Sequence, residues 1–233
     1  MKINPIFIAI YATQAFMCVV GSVGIRRYKS FSRSLRIIEW YVLSSISVDL
    51  VKDVMVYFSI RTLWLSQCFS VLELSFFAAA FYSWRTNYRQ GTLVRLSYLL
   101  YLTIWIAGKF SFESFSVSDV YSGSISQLIQ ISIGIWLLLS IQREDDLDWK
   151  NDPRIWVVSG IVFYAAATFL LFGLFEILLA SSHKFLRALW PFNDAFIVIQ
   201  YSFFLHAFFC KPMPMSQNVV TGTAGNFQNQ KSG

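Results

Sequence analysis

Residues 37–60 read IIEWYVLSSISVDLVKDVMVYFSI, and residues 63–84 read LWLSQCFSVLELSFFAAAFYSW. Each run matches the roughly 20 residues that an α-helix needs to cross about 30 Å of hydrocarbon. Only Arg61 and Thr62 separate them, so the second run returns in the opposite direction. Both carry ionisable side chains deep inside the apolar stretch: Asp49, Lys52 and Asp53 in the first, Glu73 in the second. These two runs decide the class of fold and hold the candidate site.

Further apolar runs of similar length lie at 6–25, 94–110, 121–141, 155–180 and 189–209. The expectation is an all-α polytopic transmembrane bundle of seven helices over residues 1–210, followed by a flexible cytoplasmic tail at 211–233. That tail is rich in Pro, Gly, Asn, Gln and Thr, without acidic residues, and has too little apolar surface to order itself. Composition agrees. The chain is 56% hydrophobic and only 14% charged, where soluble domains carry about a quarter of their residues charged. The apolar run after Lys2 continues to Ile25 without the short hydrophobic core of a cleavable signal peptide.

The net charge of +6 does not point to nucleic acid, because the basic residues sit in loops between apolar runs. Arg26, Arg27, Lys29, Arg33, Arg36, Arg85, Arg89, Arg95, Arg143, Lys150, Arg154, Lys211 and Lys231 fall on one side of the expected membrane. Lys2, Arg61, Lys109, Lys184 and Arg187 fall on the other. Short cytoplasmic loops hold the excess of Lys and Arg, so the N-terminus is expected outside and the C-terminus in the cytoplasm. Trp40, Trp84 and Trp156 are expected at the inner interface, and Trp64 and Trp190 at the outer one. Asp152-Pro153 reads as an N-cap with proline at the first helical position, and Asn4-Pro5 reads likewise.

Asp49, Lys52 and Asp53 share one arc of about 100° on a helix, and Glu73 reaches a similar depth from the next span. A charge facing lipid at the bilayer centre costs roughly 2.5–3.5 kcal/mol, so all four are expected to point inward, with Lys52 neutralising one carboxylate. Gln14, Ser66, Ser70, Gln127, Gln130, Asn193 and Gln200 are candidates to line a polar cavity around them. Buried amides also act as interhelical glue, worth about 0.6 kcal/mol each. Glu176 and Asp194, with Lys184 and Arg187, sit near the outer ends of the last two spans. The acidic loop from Glu144 to Asp148 lacks calcium-loop spacing and reads as a solvated segment. His183 and His206 stand alone; Cys18, Cys68 and Cys210 form no metal or disulfide pattern. No cofactor is expected, and no nucleophile or phosphate-loop motif marks an enzyme. A retinal Schiff base is excluded by the absence of a lysine inside the last span, and no DRY-type triplet ends the third.

Leu63-Trp64-Leu65 with Phe69 and Glu73, Asp152-Pro153-Arg154-Ile155-Trp156 with Gly160, Tyr164, Phe169 and Phe172, and Cys210 closing the last span form one further pattern. It resembles a family of small seven-span inner-membrane proteins of Bacteroidota, and departs from it at Gln67, where that family often has histidine. The resemblance implies the topology and an acidic pair on spans two and three. The expected roles are a signal-sensing or signal-transmitting module, or the membrane subunit of a larger complex. Its partners would be the lipid bilayer and a protein at the cytoplasmic face. The alternative is a proton- or cation-coupled carrier or channel using the intramembrane carboxylates.

Overall fold

The chain folds into seven α-helices in a computed structural model: α1 (Pro5–Arg27), α2 (Arg33–Tyr57), α3 (Leu63–Ser83), α4 (Tyr88–Ser111), α5 (Val120–Ile141), α6 (Pro153–Ser181) and α7 (His183–Phe209). A 3-10 turn at Tyr28–Ser30 joins α1 to α2. The structure describes residues 5–85, 88–111, 115, 120–144, 148–181 and 183–210, with backbone alone at 5–8, 120, 172–181 and 183–190. Among the described residues there is no strand. The expectations for Lys2, Asn4, Asp145, Asp146 and the tail at 211–233 lie outside them, as do those for the side chains of Phe172, Glu176, His183, Lys184, Arg187 and Trp190.

Six helices, all but α2, are long and apolar enough to cross a membrane. Large apolar side chains such as Leu96, Leu99 and Leu100 on α4 and Leu170 on α6 are exposed on the outside of the bundle. Lipid, as apolar as these side chains, accounts for that surface. The 25-residue α2 has the length, but Arg36, Glu39, Asp49, Lys52 and Asp53 dilute its apolarity.

Neighbouring helices close into a ring. α1 packs on α2 and α7, α2 on α3, α5 on α6, and α6 on α7, while α4 lies against α3 and α5. α6 and α7 pack closely, and a Cβ added to Gly160 would sit 2.8 Å from Phe203 Cβ and 3.3 Å from the Gln200 carbonyl oxygen. Only a residue without a side chain lets these two backbones come so near.

The helix starts follow local chemistry. Asp152 Oδ1 accepts from the Arg154 amide at 2.8 Å and Pro153 occupies the first turn of α6, as its sequence suggests. The Ser32 hydroxyl caps α2 by accepting from the Leu35 amide at 3.4 Å. Several boundaries differ from expectation: α2 runs 33–57 against 37–60, α7 begins at His183 against 189, and α4 also starts early. α4 begins at Tyr88 rather than 94, because Gln90 and Gly91 are buried and a Cβ on Gly91 would meet Arg85 and Tyr82. Arg95 also reaches the Tyr82 hydroxyl. Hydropathy marks lipid depth, whereas this helix starts earlier, in a polar contact with α3.

The two ends of the bundle are built differently. At the end holding the α1–α2 turn, Val20, Ile38, Val42, Phe77, Phe204 and Phe208 are fully or almost fully buried in one apolar core, with Phe31 stacked on Phe208 at 4.9 Å. Trp84, at the C-terminal end of α3, belongs to this core as a buried side chain. Arg154 forks onto both carboxylate oxygens of Glu144, at 3.0 and 2.5 Å, and also reaches Asp152 at 2.8 Å. Glu144 therefore ties the α5–α6 loop to α6 and is not simply solvated. The other end, around the α2–α3 turn, is where the polar groups gather.

Candidate functional site

Five helices, α1, α2, α3, α6 and α7, surround a cavity of about 340 Å³ in this second half of the bundle. Its walls contain Thr13 and Gln14 from α1; Tyr41, Ser45, Asp49, Lys52 and Asp53 from α2; and Phe69 and Glu73 from α3. Tyr164 comes from α6, and Asn193, Asp194, Gln200 and Tyr201 come from α7. The spacing of Asp49, Lys52 and Asp53 along α2 puts them on the face turned to α1 and α7, and the five-residue connection from Phe58 to Thr62 brings α3 back alongside.

Asp49, Asp53 and Glu73 each have a different partner. Lys52 Nζ lies 3.2 Å from Asp49 Oδ1, an i,i+3 pair with both side chains about a quarter to a third exposed. Asp53 Oδ2 accepts from Gln14 Nε2 of α1 at 2.9 Å. Glu73 Oε1 accepts from the Tyr41 hydroxyl of α2 at 3.0 Å. Asp194 adds a fourth carboxylate from α7, and its buried Oδ2 has no hydrogen-bond partner. Gln200, only 1% exposed, leaves its Nε2 without a partner as well. Asp53 is itself exposed and joins the cavity to the surface. The wall thus holds four carboxylates and one ammonium.

The structure brings Asp49, Lys52, Asp53 and Glu73 together, with Gln14, Asn193 and Gln200. It does not bring Ser66, Ser70, Gln127 or Gln130 to this cavity, contrary to the expectation. Ser66 stands two turns beyond Glu73, about 10 Å along the axis. Ser70 turns to its own helix and to α4, donating to the Gln67 carbonyl at 2.8 Å and meeting the Tyr101 hydroxyl at 3.4 Å. Gln127 and Gln130 are on α5, which packs against α3, α4 and α6. There Gln130 Nε2 donates to Ser126 at 3.3 Å, one turn back on α5.

Sequence reasoning missed Glu39. Its carboxylate is fully buried and neither oxygen has a hydrogen-bond partner. It fits a notch left by Gly24 of α1, where a Cβ would lie 1.7 Å from Glu39 Oε2. The signal was an acid inside span two and a glycine inside span one, but only the facing of two helices shows that they meet. The tyrosines of the wall were missed too, because as single residues they look like core.

A second hollow, about 430 Å³, lies at the opposite end beside Lys150, Asn151, Trp156, His206, Phe209 and Cys210. The His206 ring packs on Trp156 at 4.0 Å, and Trp156 Nε1 donates to the Lys150 carbonyl at 3.1 Å. Burial, reinforced by the Asp152 carboxylate, pushes the Cys210 thiol up from its ordinary pKa of 9.0. In the adjoining loop, the Asn151 amide donates to Asp148 at 2.7 Å and holds that carboxyl below its ordinary range. Among the described residues, no group of three His, Cys, Asp or Glu side chains converges as a metal site.

Compared with protein families, with curated proteins and with solved structures, the chain matches none.

Proposed function

We propose that this chain is a seven-span protein of the inner membrane that senses a solute in its acidic cavity and passes the signal to a cytoplasmic protein partner. It does so alone or as the membrane subunit of a larger complex. The observation that carries the reading is the contrast between the two halves of the bundle: a polar cavity in one, a packed apolar core in the other. A cavity backed by a packed core suits a receptor.

In this reading α2 completes the seventh crossing, because its charges face neighbouring helices and the cavity instead of lipid. The N-terminus lies outside and the C-terminus in the cytoplasm. The lysines and arginines around the α1–α2, α3–α4 and α5–α6 connections all fall at one end of the bundle, in support of that orientation. The same basic end is where a cytoplasmic partner would dock.

A second reading, a proton- or cation-coupled carrier using Asp49, Asp53 and Glu73, draws on the same acids. It requires flux through the layer of Val20, Ile38, Val42, Phe77 and Phe204, all fully buried. The packing speaks for the sensor.

The test is labelling of a single cysteine, Ile197→Cys, in a background without the three native cysteines. A membrane-impermeant thiol reagent should modify it in intact spheroplasts and not from the cytoplasmic side of inverted vesicles. Labelling from the cytoplasmic side alone, or from neither side, overturns the reading.

A further inference from the structure

The solute class can be read from the walls of the cavity. Lys52 engages Asp49, which leaves Glu73 and Asp194 facing the cavity, and Asp53 at its exposed edge, with no further Lys or Arg among its lining residues. Taking carboxylates out of water costs several kcal/mol each, which either a proton or a positive charge relieves. Gln14 and Tyr41 supply one neutral donor each, and Asp194 Oδ2 receives none.

The positive charge that fits is not a bare metal ion. The acids are spread over α2, α3 and α7, and no three of them converge to ligand distance among the described residues. The space is also too large. At about 30 Å³ per water, 340 Å³ holds on the order of ten water-sized groups. Tyr41, Phe69, Tyr164 and Tyr201 supply aromatic walls, and aromatic faces attract organic cations. Gln200 adds an independent demand. Its side chain is 99% buried in the wall and its Nε2 lacks an acceptor, so a ligand oxygen would satisfy it.

We infer that the cavity binds a small organic cation of up to about ten non-hydrogen atoms, an amine or quaternary ammonium that also carries a hydrogen-bond-accepting oxygen. Its nitrogen lies between Glu73 and Asp194, and its oxygen accepts from Gln200. The inference rests on the reading of the cavity as a solute site open to the outer side.

The experiment is calorimetric titration of the purified full-length protein in lipid nanodiscs. The probes are ethanolamine, choline and tyramine, with the oxygen-free counterparts propylamine, trimethylpropylammonium and phenethylamine. Sodium, potassium and magnesium chloride and sodium acetate complete the set. At least one oxygen-bearing amine should bind saturably, and its oxygen-free counterpart more weakly. Glu73→Gln and Asp194→Asn should each weaken binding by about tenfold or more, the loss expected for a charge-assisted contact. The bound amine should also slow labelling of Ile197→Cys, a readout that needs no acid variant to fold. Binding of inorganic cations or acetate alone, no binding at all, or amine binding unchanged by both variants overturns the inference. If Ile197→Cys is labelled from outside while no amine binds, the ligand class falls and the cavity reading stands. If it is not labelled either, both fall.

Discussion

The Tyr41 hydroxyl donates to Glu73 across the α2–α3 interface at 3.0 Å, and Tyr41 is almost fully buried. The Tyr41 ring also packs on Phe77 at 4.6 Å, so one side chain belongs both to the apolar core and to the cavity wall. This residue marks the boundary between the two halves of the bundle.

Removing the hydroxyl leaves Glu73 without its donor. Tyr41→Phe is expected to destabilise the protein by about 1–3 kcal/mol. Glu73→Gln alone should cost less than that, and the double variant less than the sum of the two. A double-mutant cycle of thermal unfolding in detergent measures the coupling; additive effects would show that the contact contributes nothing.

Gly24 and Glu39 make a second pair. Gly24→Ala places a methyl group against the Glu39 carboxylate, which is fully buried, so that side chain must shift. Overpacking of this kind costs about 1–3 kcal/mol. Glu39→Ala empties the notch, so Gly24→Ala should be far better tolerated in that background. Equal loss in both backgrounds, read from detergent melting curves, would contradict the contact.

Arg154 joins Glu144 to Asp152, and Asp152 is itself buried. Arg154→Met should cost roughly 1.5–3 kcal/mol, the range for hydrogen bonds to charged groups, and should loosen the α5–α6 connection. Limited proteolysis in that connection reports the loosening, and Arg154→Lys should restore only part of the stability because it lacks the planar fork.

Asp53 is exposed, and its partner is the Gln14 amide. Asp53→Asn should change unfolding by no more than about 0.5 kcal/mol, as other surface substitutions do. It should still reduce the rate at which a cationic thiol reagent reaches Ile197→Cys, because one negative charge at the cavity edge is lost. An unchanged labelling rate would remove Asp53 from the entry route.

The Cys210 thiol, with its pKa raised by burial, holds less thiolate at pH 8 than a free cysteine. Its alkylation by iodoacetamide, followed by mass spectrometry, should be slower than that of an exposed thiol and rise to the ordinary rate on unfolding. The sign has a consequence for stability. The unfolded thiol releases its proton at lower pH than the folded one, so the fold loses this contribution as pH rises past about 9.

Apolar run length by itself determined the helices, since each run must satisfy its own backbone hydrogen bonds in lipid and only a helix does so within one segment. Charge at membrane depth also singled out Asp49, Lys52, Asp53 and Glu73 as one group before any contact was known, and all four line the same cavity, with Asp53 at its exposed edge. Asp152-Pro153 announced the start of α6 through purely local chemistry. What the sequence could not carry was the facing of one helix against another. Hydropathy is nearly uniform around these helices, so it did not say that Gln127 and Gln130 turn away from the cavity or that Glu39 sits against Gly24. The same uniformity hid the burial of Trp84 in the core. Those relationships depend on which small residue lets which backbone approach, and that close packing exists only once all the helices are in place.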